Sequence, residues 1–278
     1  METKFHAPPP SSSIFSLSYP RPHVLLITIQ RERQMNSIPL RGHWEGELIA
    51  QWFDNEPHLR VAVITGVGSK AFCSGQDLIE QESFTHAPPH PKERKFAPSG
   101  FCGLSRRIGK KPIIAAVNGY ALGGGFEICL NSDLVVASPT ASFGLPESSV
   151  GVYAAAGALP RIVHICGMQA AAEIALAGQR LMAKEARDLR LVNIVAKTPE
   201  TMLEEALALA TRVANMSPDS TIVTRAGLRE AWETSSVERA CQLTADRYEE
   251  LLLRSPNRTI GLRAFKQKTK PDWVASKL

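Results

Sequence analysis

Ile113-Ile114-Ala115-Ala116-Val117-Asn118-Gly119-Tyr120-Ala121-Leu122-Gly123-Gly124-Gly125-Phe126-Glu127 is the stretch on which the fold turns. An apolar run that ends at an Asn-Gly pair reads as a buried strand. Phe126-Glu127-Ile128-Cys129-Leu130 reads as a helix, so three consecutive glycines stand at its N-terminus. Such a cluster is costly unless the backbone needs unusual dihedrals or close approach to a ligand. The first amides of a helix lack intrahelical acceptors and its dipole favours negative charge, so this junction reads as a backbone anion site. Glu127 falls in the first turn of that helix. A second carboxylate, Glu147, follows in Phe143-Gly144-Leu145-Pro146-Glu147, at the start of a further short helix or turn. Taken singly, the glycines also fit close helix-on-sheet packing and the glutamates fit ordinary first-turn positions. Together they point to two carboxylates facing one bound reactant.

An N-G-Y-A-x-G-G-G-x-E string followed by F-G-x-P-E resembles the crotonase superfamily, the enoyl-CoA hydratase/isomerase family. Upstream, Val61-Ala62-Val63-Ile64-Thr65-Gly66 and Lys70-Ala71-Phe72-Cys73-Ser74-Gly75-Gln76-Asp77-Leu78 resemble that family's strand and A-F-x-x-G-x-D-[LI] loop. Downstream, Ala177-Gly178-Gln179-Arg180-Leu181-Met182-Ala183-Lys184-Glu185-Ala186 with Leu191-Val192 resembles its G-x-x-[LIF]-x-A-x-E-A…L-V segment. Gly261-Leu262-Arg263-Ala264-Phe265 with Lys268 resembles its C-terminal helix. The likeness runs from about Ile14 to Trp273.

The resemblance implies an α/β fold: a crotonase-like spiral of repeated β-β-α units over residues 13–198, then a helical region over 199–273 that assembles homotrimers or hexamers and covers the site. Residues 1–12 are expected to be a disordered N-terminal segment and 274–278 a tail. It also implies an acyl-CoA thioester substrate, whose carbonyl oxygen is held by the backbone amides of Gln76 and Gly124. Preorganised amides favour an enolate-like intermediate over the ground state, and losing one such donor costs about a hundred- to a thousand-fold in turnover. Ser74, Gly75, Asp77, Gly123 and Gly125 are carried over as substrate-binding positions. Glu127 matches the water-activating glutamate, and Glu147 the one that manages the proton at C2. Two carboxylates around one water titrate as a coupled pair. The position of Gln76 is usually small in the family, so its side chain either narrows the pocket or bonds to a substrate substituent. Tyr153 lies in a segment that departs from the family pattern and is read either as lining the acyl pocket or as core. Phe265 and Lys268 resemble residues that contact coenzyme A, with a packed Phe and a solvated Lys as the alternative.

The pair of glutamates implies hydration or dehydration more than double-bond isomerisation. The leading substrate class is a trans-2-enoyl-CoA of β-oxidation. A branched 3-hydroxyacyl-CoA is the second, as in mevalonyl-CoA dehydration for fungal siderophores. From another class comes a non-catalytic RNA- or protein-binding relative, which should have lost Glu127 or Glu147. No cofactor is expected beyond the coenzyme A of the substrate. Ser276-Lys277-Leu278 matches the tripeptide read by the peroxisomal import receptor, so the expected compartment is the peroxisome. Met1 to Pro22 has no apolar run long enough for a signal peptide or membrane span.

Composition agrees without adding specificity. The chain has 278 residues, is 44% hydrophobic and carries a net charge of +5, which suffices for one large core and suits an anionic nucleotide. A nucleic-acid partner is not indicated: Lys92, Arg94 and Lys95 beside Pro88-Pro89-His90-Pro91 read as a solvated loop, without an aromatic-interleaved stripe. Five widely spaced cysteines exclude a disulfide framework. His86 and His90 have a helical metal-pair spacing, but the prolines between and beside them break any helix, and no metal site is expected. The segment from Glu80 to Phe101 reads as a loop bordering the acyl pocket. Early strands are expected at Ile14–Ser18, His23–Ile29, Val61–Thr65, Ile113–Val117 and Leu134–Ala137. Helical stripes are expected through Trp44, Leu48 and Trp52, through Met202, Leu203, Ala206, Leu207 and Ala210, and from Val237 through Cys241 and Leu243.

Overall fold

The computed structural model describes residues 5–84 and 96–278. His86, His90, Lys92, Arg94, Lys95 and the proline cluster lie outside the described residues. Strands β1 (Phe15–Arg21), β2 (Val24–Ile29), β3 (Val61–Gly66), β5 (Ile113–Val117), β7 (Leu134–Ala137) and β10 (Ile194–Val195) form one sheet in the order β1-β2-β3-β5-β7-β10. Only β1 is antiparallel to its neighbour. A second sheet runs β4 (Ala71–Cys73), β6 (Tyr120–Leu122), β8 (Ser142–Gly144) and β9 (Leu181–Met182).

Successive turns of chain visit the two sheets in alternation. β3 is followed by β4 and helix α2 (Leu78–Ser83). β5 is followed by β6 and helix α3 (Gly124–Asn131), and β7 by β8, a 3-10 turn at Glu147–Val150 and helix α4 (Ala158–Cys166). This is the expected spiral of β-β-α units. Because each repeat stacks in parallel register on the last, equivalent loops fall side by side: Ala121 pairs with Cys73 and with Phe143. The Asn-Gly pair staples the stack. Asn118 Nδ2 donates to Gly68 O at 2.7 Å and to Ala71 O at 3.2 Å, while a side chain at Gly119 would collide with the Lys70 carbonyl.

The inner strands β2, β3 and β5 are covered on both faces and are continuous apolar runs, whereas the edge strand β1 alternates. Ala62 and Ile64 join the main core, whereas Val61 and Val63 meet helix α7 (Met202–Ala214) through Met202, Ala206, Leu207 and Ala210. The main core also takes helix α1 (Leu40–Asn55), but not through the expected stripe. Trp44 and Leu48 are exposed, and the buried face is Gly42, His43, Gly46, Glu47, Ile49, Ala50, Trp52 and Phe53. The reason is steric: Gly46 sits against the Cys102 carbonyl, where no side chain fits.

Two further expectations are corrected. Residues 5–12 are not free chain: Phe5 packs on Tyr19 and Trp52, Trp52 Nε1 donates to Ala7 O at 3.0 Å, and Ser12 bonds Glu45. In helix α9 (Val237–Leu253), Val237 and Cys241 are exposed and Ala240 alone is buried. Helix α8 (Pro218–Thr234) instead anchors this region, with Arg225 Nε donating to both Asp133 oxygens at 2.9 Å and Arg229 reaching Asn131 and Asp133. Helices α5 (Met168–Leu176), α6 (Ala183–Asp188) and α10 (Pro256–Gln267) complete the chain.

Candidate active site

The two glycine loops meet at one end of the spiral. Gly75 has φ +99° and Gly123 φ +53°, conformations that glycine reaches without the strain of a side chain. A Cβ on Gly75 would stand 3.1 Å from Leu122 O and 3.4 Å from Gly124 N, which measures how closely the loops approach. Gly124 is the first residue of α3, so its N–H has no intrahelical acceptor. The Phe101 ring lies against its Cα, and a Cβ there would come within 2.5 Å of ring carbons. Glycine at 124 therefore leaves a bare amide beside an aromatic wall. Gln76 N–H likewise makes no backbone hydrogen bond among the described residues, although its neighbours do: Ile38 N donates to Gly75 O and Asp77 N to Ile38 O.

These loops open into a cleft of about 750 Å³ lined by Ser74, Gly75, Gln76, Gly123, Gly124, Glu127, Glu147 and Tyr153, with Leu40, Phe84, Phe96 and Phe101 on an apolar wall. Glu127 is 4% exposed. Its Oε1 accepts from Ala156 N at 2.8 Å and Ala158 N at 3.1 Å, so the N-terminal end of α4 fixes the carboxyl. Oε2 has no protein partner among the described residues. Burial pushes the Glu127 carboxyl up to about 7, with the Ala158 and Ala156 amides opposing the rise and the Glu147 charge adding to it. Burial also raises Glu147, whose Oε2 is buried without a hydrogen bond. A buried carboxylate oxygen left open toward a cleft is a position for water or substrate to fill.

Four sequence-derived residues take other places. Asp77 caps α2, accepting from Glu80 N at 3.2 Å, and pairs with Arg31 at 2.7 Å; it holds the loop and does not line the cleft. Gly125 is a packing residue, since a Cβ there would lie 2.1 Å from Cys73 O. Phe265 is 86% exposed on α10 and Lys268 caps that helix; neither lines the cleft of its own chain. Tyr153 is 69% exposed at the cleft mouth, so it is a lining residue and not core. Cys73 is fully buried and its thiol is pushed up to about 12, which leaves it a packing residue.

Other contributors carried no signal. The Ala156 and Ala158 amides could be found only from coordinates, because any residue supplies an N–H. His43, buried on α1, receives a hydrogen bond from Cys102 N at Nδ1 and bonds Gln76 Oε1 through Nε2 at 2.8 Å.

The family model of enoyl-CoA hydratase/isomerase matches residues 21–276. The chain belongs to the enoyl-CoA hydratase/isomerase family. It is thus an acyl-CoA hydratase of the carbon–oxygen lyase class. This hydratase is 43% identical over 279 residues to the mevalonyl-coenzyme A hydratase of Beauveria bassiana, covering 99% of both chains. It is 45% identical over 262 residues to the mevalonyl-coenzyme A hydratase of Aspergillus fumigatus, covering 94% of this chain and 95% of that one. Its fold is similar to the crystal structure of enoyl-CoA hydratase from Mycobacterium tuberculosis H37Rv, with TM-score 0.84 and 29% identity over 95% of this chain and all of the other.

Proposed function

We propose that this hydratase interconverts mevalonyl-CoA and its 2,3-dehydrated product, with Glu127 and Glu147 as the paired acid and base. The observation that carries the chemistry is a shared cleft with two raised-pKa glutamates beside two bare amides. Identity of 43% and 45% along the chain to mevalonyl-coenzyme A hydratases supports the branched substrate over a straight-chain enoyl-CoA.

In dehydration, the thioester oxygen accepts from Gln76 N–H and Gly124 N–H, and charge builds on it as Glu147 takes the C2 proton. The C3–O bond breaks and Glu127 supplies a proton from Oε2, so hydroxide leaves as water. Hydration runs the same steps backward, with Glu127 drawing a proton from water as it attacks C3. One proton shared by the pair serves both directions, and the deeper burial of Glu127 favours its residence there.

Peroxisomal import is proposed from Ser276-Lys277-Leu278. Ser276 Oγ bonds Asp219, and Lys110 Nζ donates to Leu278 O at 3.1 Å. Assembly into trimers or hexamers is proposed from exposed Leu228, Val237, Leu251, Leu262 and Phe265 on the C-terminal helices. The substrate reading is tested by turnover of purified enzyme on mevalonyl-CoA and on crotonyl-CoA, followed by conjugated-thioester absorbance. Preference for mevalonyl-CoA supports it, and fast hydration of crotonyl-CoA with no dehydration of mevalonyl-CoA overturns it.

A further inference from the structure

We propose that the side-chain amide of Gln76 recognises a hydrogen-bond acceptor on the acyl chain, with His43 as the positioning residue that turns its N–H groups into the cleft. The inference rests on the acyl-CoA reading of the site and specifies how that site selects its substrate.

The tautomer of His43 follows from its partners. Cys102 N–H donates to Nδ1 at 3.0 Å, so Nδ1 carries no proton and the ring hydrogen resides on Nε2. Nε2 lies 2.8 Å from Gln76 Oε1, and a ring N–H there can bond only an acceptor. Gln76 must therefore present its carbonyl to His43 and its NH₂ away from it. Burial pulls His43 down to about 4, so the ring stays neutral and the tautomer holds through the working pH range. Phe96 and Phe101 pack on the ring with centroids 4.9 and 4.8 Å away, which keeps the imidazole from turning.

The Gln76 Nε2 hydrogens meet no protein acceptor among the described residues. Gln76 lines the cleft beside Leu40, Leu78, Phe84, Phe96 and Phe101, with Gln81 as the further amide side chain on that wall. A donor on a mostly apolar wall is not satisfied by a plain alkyl chain, and covering it without a partner is unfavourable. An acyl group bearing a hydroxyl a few bonds beyond the thioester would satisfy it. The backbone N–H of the same residue contacts the thioester oxygen in the proposed complex, so the amide lies within one side-chain length of the acyl carbons. Site construction of this kind discriminates by leaving the wrong substrate with an unpaired group.

The test compares kcat/KM for dehydration of mevalonyl-CoA with that of 3-hydroxy-3-methylpentanoyl-CoA, which lacks only the distal hydroxyl. Wild type is expected to prefer mevalonyl-CoA about 10- to 100-fold, the equivalent of one such hydrogen bond. Gln76→Leu should bring the ratio to about one. His43→Leu should lower it as well, although His43 lies outside the cleft. Both substrates use the same backbone donors and the same folded fraction, so the ratio reports recognition and a merely structural role would not move it. Should Gln76→Leu fail to fold, Gln76→Met gives the same readout. A Gln76→Leu enzyme that keeps the wild-type preference overturns the inference, as does a wild-type ratio near one with both substrates turned over; the acyl-CoA reading survives either result. Wild type inactive on both substrates but active on crotonyl-CoA overturns the inference together with the mevalonyl-CoA reading.

Discussion

Glu127 shows how little of a residue's role lies in its identity. A carboxylate at a helix start is commonplace; this one is buried at the floor of a cleft, gripped at one oxygen by two amides and left open at the other. If the glutamates act as proposed, Glu127→Gln and Glu147→Gln should each lower kcat/KM by about 10²- to 10⁴-fold with the fold intact. Near-wild-type activity in either would remove that residue from the mechanism. The pair should also shape the pH profile. With the shared proton lost as Glu127 titrates at about 7, kcat/KM should fall on the alkaline side of neutrality in both directions; a flat profile from pH 6 to 9 would contradict this. Stability carries the same signature. The folded carboxyl keeps its proton up to about 7 while the unfolded one loses it near 4.5, so folded protein holds more protons between those values and loses stability as pH rises through them. Glu127→Gln escapes this loss, and its gain in melting temperature over wild type should be larger at pH 8 than at pH 5.

At the scale of elements, the long strands were legible and the short ones were not. Ile113–Val117 and Leu134–Ala137 stand where the apolar runs place them, because five or four consecutive apolar residues leave a plain signal. β4, β6 and β8 have three residues each, too few to show a period, and are defined by register against neighbouring repeats. The Trp44-Leu48-Trp52 stripe misled for a related reason: small residues let a helix approach closely, so Gly42 and Gly46 mark the buried face of α1 that aromatic spacing did not. The two glycine loops read from the sequence both line the cleft, whereas Gly125 and Asp77 hold those loops together from outside it. Gly75→Ala is the direct probe of the loop geometry. It forces a side chain to φ +99° and against the loop that carries Gly124 N–H, at a strain of about 1–3 kcal/mol. The expected outcome is a lower melting temperature and at least about a tenfold loss of kcat; unchanged kcat would mean that the spacing of the two amides does not matter.

Across the whole molecule, helix α8 is tied to the spiral through a largely buried charge cluster. Asp133, at the exit of α3, takes Arg225 and Arg229 from α8, and no periodicity in the sequence announces the link. Asp133→Ala would leave Arg225 buried without its partner, at a cost of about 3–5 kcal/mol. A melting temperature within a degree or two of wild type would show that the helices are held by other contacts. The central claim is that one cleft, with two glutamates beside two bare amides, dehydrates a branched acyl-CoA. Its most direct test is to incubate wild type, Glu127→Gln and Glu147→Gln with mevalonyl-CoA and weigh the product. Wild type should yield a species lighter by one water, with both variants nearly inert. Water loss at equal rates in all three enzymes, or none in wild type, would contradict the account.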